Sequence, residues 1–202
     1  MRVIVTGTPG TGKTTVGKRL SEILNYVYVN LNEELIRRGA CTYNPILDTY
    51  EVMDREIAER IADEVIEISR NLVIDTIALS VIDPDKVDLV IVLRLHPLEL
   101  FKRLKYTKMW KGTKLCSNVM AEVLDYFLIE AVDCFGEEKV AEVDTTGKSV
   151  EKVVDECLSI IYGKKERRRG IVSWLSLLDP DVVARLDMCA RGEVSDDVLV
   201  VG

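Results

Sequence analysis

Residues 6–15 have the types and spacing that hold phosphate groups, since they read TGTPGTGKTT. They fit the pattern G-x-x-x-x-G-K-[ST], in which glycines let successive backbone N–H groups turn inward around an anion. Lys13 then supplies a mobile positive charge for the β- and γ-phosphates of a nucleotide, and the hydroxyl of Thr14 is suited to bind Mg²⁺. The chemistry that this loop indicates is the binding of a nucleoside triphosphate.

The segments on either side of the loop are those needed to position it. Residues 2–5 (RVIV) have the pattern of a buried strand, and helical spacing follows at Val16, Leu20, Ile23 and Leu24. The N-terminus of such a helix points its partial positive charge at the same anion. A strand, loop and helix with Lys-Thr in register therefore favour a nucleotide site over a simple glycine turn.

Composition sets limits on the rest of the chain. With 202 residues, of which 48% are hydrophobic and 30% charged, one globular domain with an appendage is expected. The net charge of -7 argues against a protein whose main role is wrapping nucleic acid. Five scattered cysteines without a C-x-x-C pair predict reduced thiols with no disulfide or zinc site. We expect a cytoplasmic protein with no membrane partner, because no apolar run reaches membrane-spanning length.

Strand and helix patterns alternate along the chain, which predicts an α/β fold with a five-stranded parallel sheet and helices on both faces. Further strands are expected at residues 26–29, 72–75, 88–94 and 139–144, and further helices at 51–70, 97–105, 117–135 and 150–162. Ligands of such sheets bind at the carboxyl ends of the strands. Asp75, at the end of the third strand, is therefore expected to orient the water shell of Mg²⁺ and to act in catalysis.

Two irregular inserts, at about residues 30–47 and 106–117, lie where nucleoside monophosphate kinases carry their acceptor-binding region and their lid. A guanine-reading N-K-x-D run is missing from the sequence. These features predict a P-loop nucleoside monophosphate kinase fold over residues 1–162. Arg37 and Arg38, in the first insert, are candidates for contact with the acceptor phosphate; the alternative is that both are exposed helix charges.

The chain resembles the adenylate kinase isoenzyme 6 family over about residues 1–162. The matching stretches are residues 6–15, PILD at 45–48, VID at 73–75, VLR at 92–94 with Arg103-Leu104, and Lys114-Leu115 with Asn118 and Glu122. The resemblance implies reversible phosphoryl transfer between ATP and AMP, dependence on Mg²⁺ and an ATPase activity. It also implies a role in small ribosomal subunit maturation through a platform protein of that subunit.

The resemblance also assigns site residues. Those matching the family's contacts with the ATP phosphates are Gly10, Gly12, Lys13, Thr14 and Thr15. Lys148 borders the adenine, and Asp48, at the end of the PILD stretch next to the acceptor region at 30–47, is assigned to substrate binding. Lys108 takes the place of an arginine in the lid at 107–117. Of Arg94 and Arg103, one is expected to touch phosphate and the other to brace the lid.

This chain departs from the family's pattern at two positions. It has Asp75-Thr76-Ile77 where the family has Asp-x-His, so a histidine linked to ATP hydrolysis is absent. Lys108 lacks the planar fork with which arginine clamps phosphate. Three alternatives stay open: an AMP kinase, an ATPase assembly factor with a ribosomal partner, and a nucleotide-gated binding module with little activity.

The chain continues beyond residue 162 as an extension that opens with the basic run KKERRR at 164–169. The run is either a solvated linker or a contact for ribosomal RNA. Asp179 and Pro180 predict the start of an amphipathic helix that ends near Gly192, and residues 198–201 suggest an edge strand. We expect the extension to pack against the core and to be dispensable for chemistry.

Overall fold

A computed structural model describes residues 1–45 and 48–199. The strands are β1 (Arg2–Thr6), β2 (Val27–Asn30), β3 (Cys41–Asn44), β4 (Thr49–Val52), β5 (Leu72–Asp75), β6 (Leu89–Arg94) and β7 (Val140–Asp144). The helices are α1 (Lys13–Leu24), α2 (Leu31–Arg37), α3 (Arg55–Glu67), α4 (Pro97–Tyr106), α5 (Gly112–Val123), α6 (Tyr126–Phe135), α7 (Val150–Ile161), α8 (Trp174–Leu177) and α9 (Pro180–Ala190).

Five strands form one parallel sheet in the order β2-β5-β1-β6-β7. Every residue of β5 and β6 is buried, because apolar clusters cover both faces of the sheet. Such continuous apolar strands are typical of a parallel sheet between two helix layers. The predicted fold class is therefore confirmed, and the carboxyl ends of β1 and β5 meet at one edge of the sheet.

The first insert is more regular than the sequence suggested. Its residues form α2 and β3, and β3 pairs with β4, just beyond the insert, in an antiparallel hairpin. Residues 46 and 47 lie outside the described part of the chain. The following helix begins at residue 55, not 51, because Thr49–Val52 pairs with Cys41–Asn44. Asp54 then caps α3 by accepting a hydrogen bond from the backbone N–H of Ile57.

The helix expected at 117–135 is two helices. α5 begins at Gly112, within the predicted lid, so the first residue of the expected helix lies inside α5. The helical path is interrupted at Asp125, whose φ of 57° lies in the left-handed region, and α6 begins at the next residue. The segment predicted to be the lid therefore consists of a short loop at 107–111 and the first turns of α5.

The extension packs against α4 and α5. A disulfide joins Cys116 of α5 to Cys189 of α9, so the expectation of reduced thiols was wrong at this pair. Cysteines 73 residues apart offer no spacing from which the pairing could be read. The predicted helix start is confirmed, since Asp179 accepts a hydrogen bond from the N–H of Asp181. Residues 196–199 form a 3₁₀ helix where a strand was suggested, and residues 200–201 lie outside the described chain.

The basic run is exposed to solvent, but hydrogen bonds hold it on the protein, so it is not a free linker. The carbonyl of Arg168 accepts a hydrogen bond from the backbone N–H of Glu142, on the free edge of β7. Arg167 and Arg169 donate to the carbonyls of Glu138 and Glu137. The run therefore covers the edge strand. The division of the chain at residue 162 stays a prediction.

Candidate active site

The phosphate loop connects β1 to α1 at the carboxyl edge of the sheet. Gly7 has a φ of 133°, and a Cβ there would lie 2.3 Å from the carbonyl oxygen of Leu93. Gly10 has a φ of 99°, and its Cβ would lie 2.9 Å from side-chain carbons of Leu100 and Leu104. Only glycine meets both requirements, because it adopts positive φ freely and has no Cβ.

Lys13, the first residue of α1, is buried against the loop. Its ammonium donates to the carbonyls of Gly7 at 2.8 Å and Thr8 at 3.2 Å. Burial lowers the pKa of Lys13 to about 8, and the Asp75 carboxylate opposes part of that shift. The side chain is thus a cation in a poorly solvated place, which is the condition under which a charge acts most strongly on a nearby anion.

Asp75 ends β5 beside the start of α1. One of its carboxylate oxygens accepts hydrogen bonds from the hydroxyl of Thr14 at 2.5 Å and from that of Tyr28 at 3.0 Å. Burial and the neighbouring Asp75 raise the pKa of Tyr28 well above its ordinary value, so Tyr28 remains a donor. The hydroxyl and the carboxylate are oxygen donors of the kind that Mg²⁺ binds, so Thr14 and Asp75 fit such an ion. Sequence reasoning missed Tyr28, because an aromatic residue on a strand is usually core.

A cavity of about 420 Å³ lies over the loop. It brings together the predicted residues Gly10, Gly12, Lys13, Thr14, Thr15, Asp75, Arg103 and Lys108. Arg103 donates to the carbonyl of Gly10 at 2.9 Å and so joins α4 to the loop. Lys108, on the far wall, lies over the ring of Trp110 with its ammonium 5.4 Å from the centroid. The cavity also includes Asn30, Asn32 and Ile77, which the sequence did not assign to it.

A second cavity of about 320 Å³ adjoins the first between α2 and the β3–β4 hairpin. Asn32 and Ile77 line both cavities. The amide oxygen of Asn32 accepts a hydrogen bond from the Thr76 hydroxyl at 3.0 Å, which fixes it at the junction. The remaining lining residues are mostly apolar: Leu35, Ile36, Cys41, Thr49, Tyr50, Val52 and Ala78.

Comparison with known proteins identifies the family. A family model described as "AAA domain" matches residues 3–125. A protein of Thermococcus onnurineus described as "Putative adenylate kinase" is 42% identical over 174 residues, which are 86% of this chain and 91% of that protein. One of Pyrococcus abyssi with the same description is 41% identical over 179 residues, 89% of this chain and 94% of that protein. The chain belongs to this adenylate kinase-like family.

Solved structures support the same fold at lower identity. Shikimate kinase from Aquifex aeolicus aligns with a TM-score of 0.54 at 20% identity, covering 81% of this chain and 98% of that one. Shikimate kinase from Acinetobacter baumannii aligns with a TM-score of 0.55 at 20% identity, covering 81% and 94%. At this identity the likeness shows the fold alone, a parallel α/β sheet with one helix layer on each face.

Apart from Arg94, four residues that the sequence assigned to ligand binding line neither of the two cavities. Arg37, whose side chain is 68% exposed, pairs with a glutamate one turn earlier on α2, and Arg38 pairs with a glutamate on α3. Asp48 accepts from the ammonium of Lys114 at 2.7 Å, so it joins the hairpin to α5. Lys148 pairs with a glutamate on α7. The described side chains therefore favour the exposed-charge alternative for Arg37, while Arg38, which is half-buried at the end of α2, is engaged by a glutamate.

Arg94 is a clear correction to the sequence-based expectation. Its side chain is 2% exposed and pairs with Glu122 at 2.8 Å, and with Asp125 and Glu142. The Nη2 group also donates to the carbonyl of Glu122. With its three donor nitrogens engaged by the buried Glu122 and Glu142 and the half-buried Asp125, Arg94 links β6, β7 and α5 and is not available to a phosphate. Of the two arginines, Arg103 is the one that lines the cavity over the loop.

Two further observations concern the described residues as a whole. Within residues 1–45 and 48–199, acidic, histidine and cysteine side chains form no cluster of three or more that could hold a metal ion. In the same part of the chain, none of the helices combines the length and the apolar character needed to cross a membrane.

Proposed function

We propose that the protein is an adenylate kinase that transfers the γ-phosphoryl group of ATP to AMP, with Mg²⁺ as its cofactor. The observation that carries the proposal is the pair of cavities that meet at Asn32 and Ile77. One cavity is lined by the phosphate loop and two cationic side chains, and the other is largely apolar. Two ligands held in them would meet end to end, which in-line phosphoryl transfer requires.

In this proposal the first cavity binds the phosphates of ATP. The loop amides and the N-terminus of α1 stabilise the β-phosphate. The ammonium of Lys13 donates to the carbonyl of Gly7 at 2.8 Å, and phosphate oxygens would take the place of that carbonyl when ATP binds. Arg103 and Lys108, on the opposite wall, face charge that develops on the transferred group. No protein nucleophile is needed, because positioning and electrostatic stabilisation supply most of the catalysis.

The metal ion of this proposal would be held by Thr14 and through its water shell by Asp75. Bound there, Mg²⁺ would neutralise charge on the β- and γ-phosphates. The hydroxyl of Tyr28 holds the same oxygen of Asp75 that Thr14 contacts and so keeps the carboxylate pointed at the loop.

The second cavity suits the base and ribose of a monophosphate. Leu35, Ile36 and Tyr50 offer an apolar wall for a purine, and none of the described lining residues carries a charge. The acceptor phosphate is therefore expected at the junction with the first cavity, within reach of its cations. The apolar side chain of Ile77 at this junction disfavours an activated water, so it favours an acceptor phosphate over hydrolysis.

The decisive assay is ADP formation by the wild-type protein across a panel of nucleoside monophosphates, with ATP and Mg²⁺. We expect AMP to raise the rate well above the basal ATPase rate, because Ile77 stands where the family's histidine would assist hydrolysis. A rate that no monophosphate changes would favour the ATPase alternative. Nucleotide binding without any turnover would favour the binding module.

Nucleotide affinity is expected to depend on pH through Lys13. Phosphate oxygens favour the charged ammonium, while burial lowers the pKa of Lys13 to about 8 in the free protein. The Kd for ATP should therefore be constant below about pH 7 and rise above about pH 8, approaching about tenfold per pH unit. Calorimetric titrations from about pH 6.5 to pH 9.5 would measure this change.

The matched control is Lys13→Arg, because a guanidinium does not titrate in this range. Lys13→Arg should bind ATP with lower affinity than the wild type, but its Kd should stay constant over the same pH values. A wild-type Kd that does not change up to about pH 9.5 would contradict the assignment of Lys13 to the phosphates.

We also infer, from the resemblance, membership of the isoenzyme 6 branch, an accompanying ATPase activity and a role in small ribosomal subunit maturation. The cytoplasmic location stays a prediction as well. The docking of the run at 164–169 argues against a free basic tail for ribosomal RNA, since Arg167 and Arg169 donate to carbonyls of the protein itself. Binding of the purified small-subunit platform protein would test the partner directly.

A further inference from the structure

Glu122 of α5 connects three parts of the molecule through one buried carboxylate. One oxygen accepts from the hydroxyl of Thr8, in the phosphate loop, at 2.5 Å. The other accepts from Nε of Arg94 at 2.8 Å, from the N–H of Leu95 at 3.1 Å and from the indole N–H of Trp174 at 3.0 Å. The side chain of Glu122 is 2% exposed, so these hydrogen bonds replace water entirely.

Thr8 lies next to the catalytic lysine. Its backbone carbonyl accepts from the ammonium of Lys13, and from the N–H and the hydroxyl of Thr11. A shift of Thr8 would therefore move the partners that hold Lys13 in place. Thr8 does not line the cavity, and its hydroxyl donates to Glu122, which makes Glu122 a support for the loop.

Trp174 belongs to the extension and not to the core domain. Its indole is 4% exposed and lies edge-on to the ring of His96, with 5.2 Å between centroids. The following helix, α9, holds it in place through the Cys116–Cys189 disulfide and through apolar contacts of Leu186 with the cluster formed by α4 and α5. The extension thus delivers one hydrogen-bond donor to the carboxylate that supports the phosphate loop.

We propose that Trp174 is a positioning residue for ATP binding, acting through Glu122 on Thr8. The extension then belongs to the catalytic machinery, contrary to the expectation that it is dispensable. Four donors together fix the direction of this charged acceptor, and loss of the indole donor weakens the network that holds Glu122 against Thr8. The inference rests on the proposed function in one respect: it takes the loop to be the ATP site.

The variant that isolates this role is Trp174→Phe, which keeps an aromatic ring but removes the N–H. We expect the Kd for ATP, measured by calorimetry on the full-length protein, to rise about tenfold. The KM for AMP should not change, because the second cavity shares no residue with this chain of contacts. A merely structural tryptophan would not produce this split between the two substrates.

Two further variants distinguish positioning from packing. Thr8→Val removes the hydroxyl that Glu122 accepts from, so Trp174→Phe should add no further loss of affinity in that background. Ile66→Val weakens the packing of α3 in a different apolar cluster, away from Glu122 and Trp174, and its Kd for ATP should equal that of the wild type at temperatures well below melting.

Three outcomes would overturn the inference: an unchanged Kd in Trp174→Phe, additive losses with Thr8→Val, or an equal loss of affinity in Ile66→Val at the same fall in Tm. The test is independent of turnover. A wild-type protein that binds ATP and fails to phosphorylate AMP would refute the proposed function, while the effect of Trp174→Phe on ATP binding would still decide this inference.

Discussion

Replacing Lys13 with alanine is expected to lower kcat for phosphoryl transfer by ~10²–10³, because the variant loses a charge that faces the transferred group in a poorly solvated cavity. The fold should survive the change. Burial lowers the pKa of Lys13, so desolvation of the charged ammonium opposes folding and offsets the loss of its hydrogen bonds to the carbonyls of Gly7 and Thr8. Initial rates of ADP formation and a thermal melt of the same sample would measure both effects.

Lys152→Ala is the matched control for that variant. Lys152 is exposed on α7, away from the cavity, and its loss should change neither the rate nor the Tm. A folded Lys13→Ala protein with near-wild-type turnover would show that the loop is not where the chemistry occurs.

Arg94→Met is expected to lower the free energy of unfolding by about 3–5 kcal/mol, because it leaves buried carboxylates without their cation. Glu122 and Glu142 are almost fully buried in this cluster. For a chain of this length the loss corresponds to a fall in Tm of about 10 °C. Urea unfolding followed by circular dichroism would give the free energy.

The loss should shrink in acid. Burial raises the pKa of Glu142, while the N–H of Ile171 and the Arg94 guanidinium lower it in part. Without the guanidinium the pKa rises further, so the carboxyl is neutral over a wider range and the variant is less destabilised near pH 5 than near pH 8. Arg19→Met, which removes an exposed pair on α1, is the control and should cost less than about 1 kcal/mol. A Tm of Arg94→Met equal to that of Arg19→Met would contradict the structural role of Arg94.

The sequence was most informative where local chemistry and periodicity agree. The residue pattern of the loop at 6–15 predicts a phosphate-binding turn between a strand and a helix. Buried strands such as Leu89–Arg94 are apolar on both faces, so the parallel sheet could be predicted. Lys13, Thr14 and Asp75 follow directly from that architecture, because each lies where a strand or the loop reaches the carboxyl edge.

The parts that sequence reasoning missed depend on contacts between distant segments. The pairing of Cys41–Asn44 with Thr49–Val52 has no alternating pattern to reveal it, since most of these residues are exposed. Arg94 has the charge of a phosphate ligand, and only the positions of three carboxylates on other elements show that its donors are engaged. The disulfide and the hydrogen bond from Trp174 to Glu122 likewise join residues far apart in the chain.

The central claim is that the γ-phosphoryl group passes to a nucleotide acceptor, with transfer to water as an accompanying reaction only. Incubation of the wild-type protein with [γ-³²P]ATP, Mg²⁺ and AMP, followed by separation of the products, tests it directly. We expect the label to appear in ADP at a rate that depends on the AMP concentration and that falls to background in Lys13→Ala. Label that appears as inorganic phosphate at the same rate with and without AMP would contradict the account.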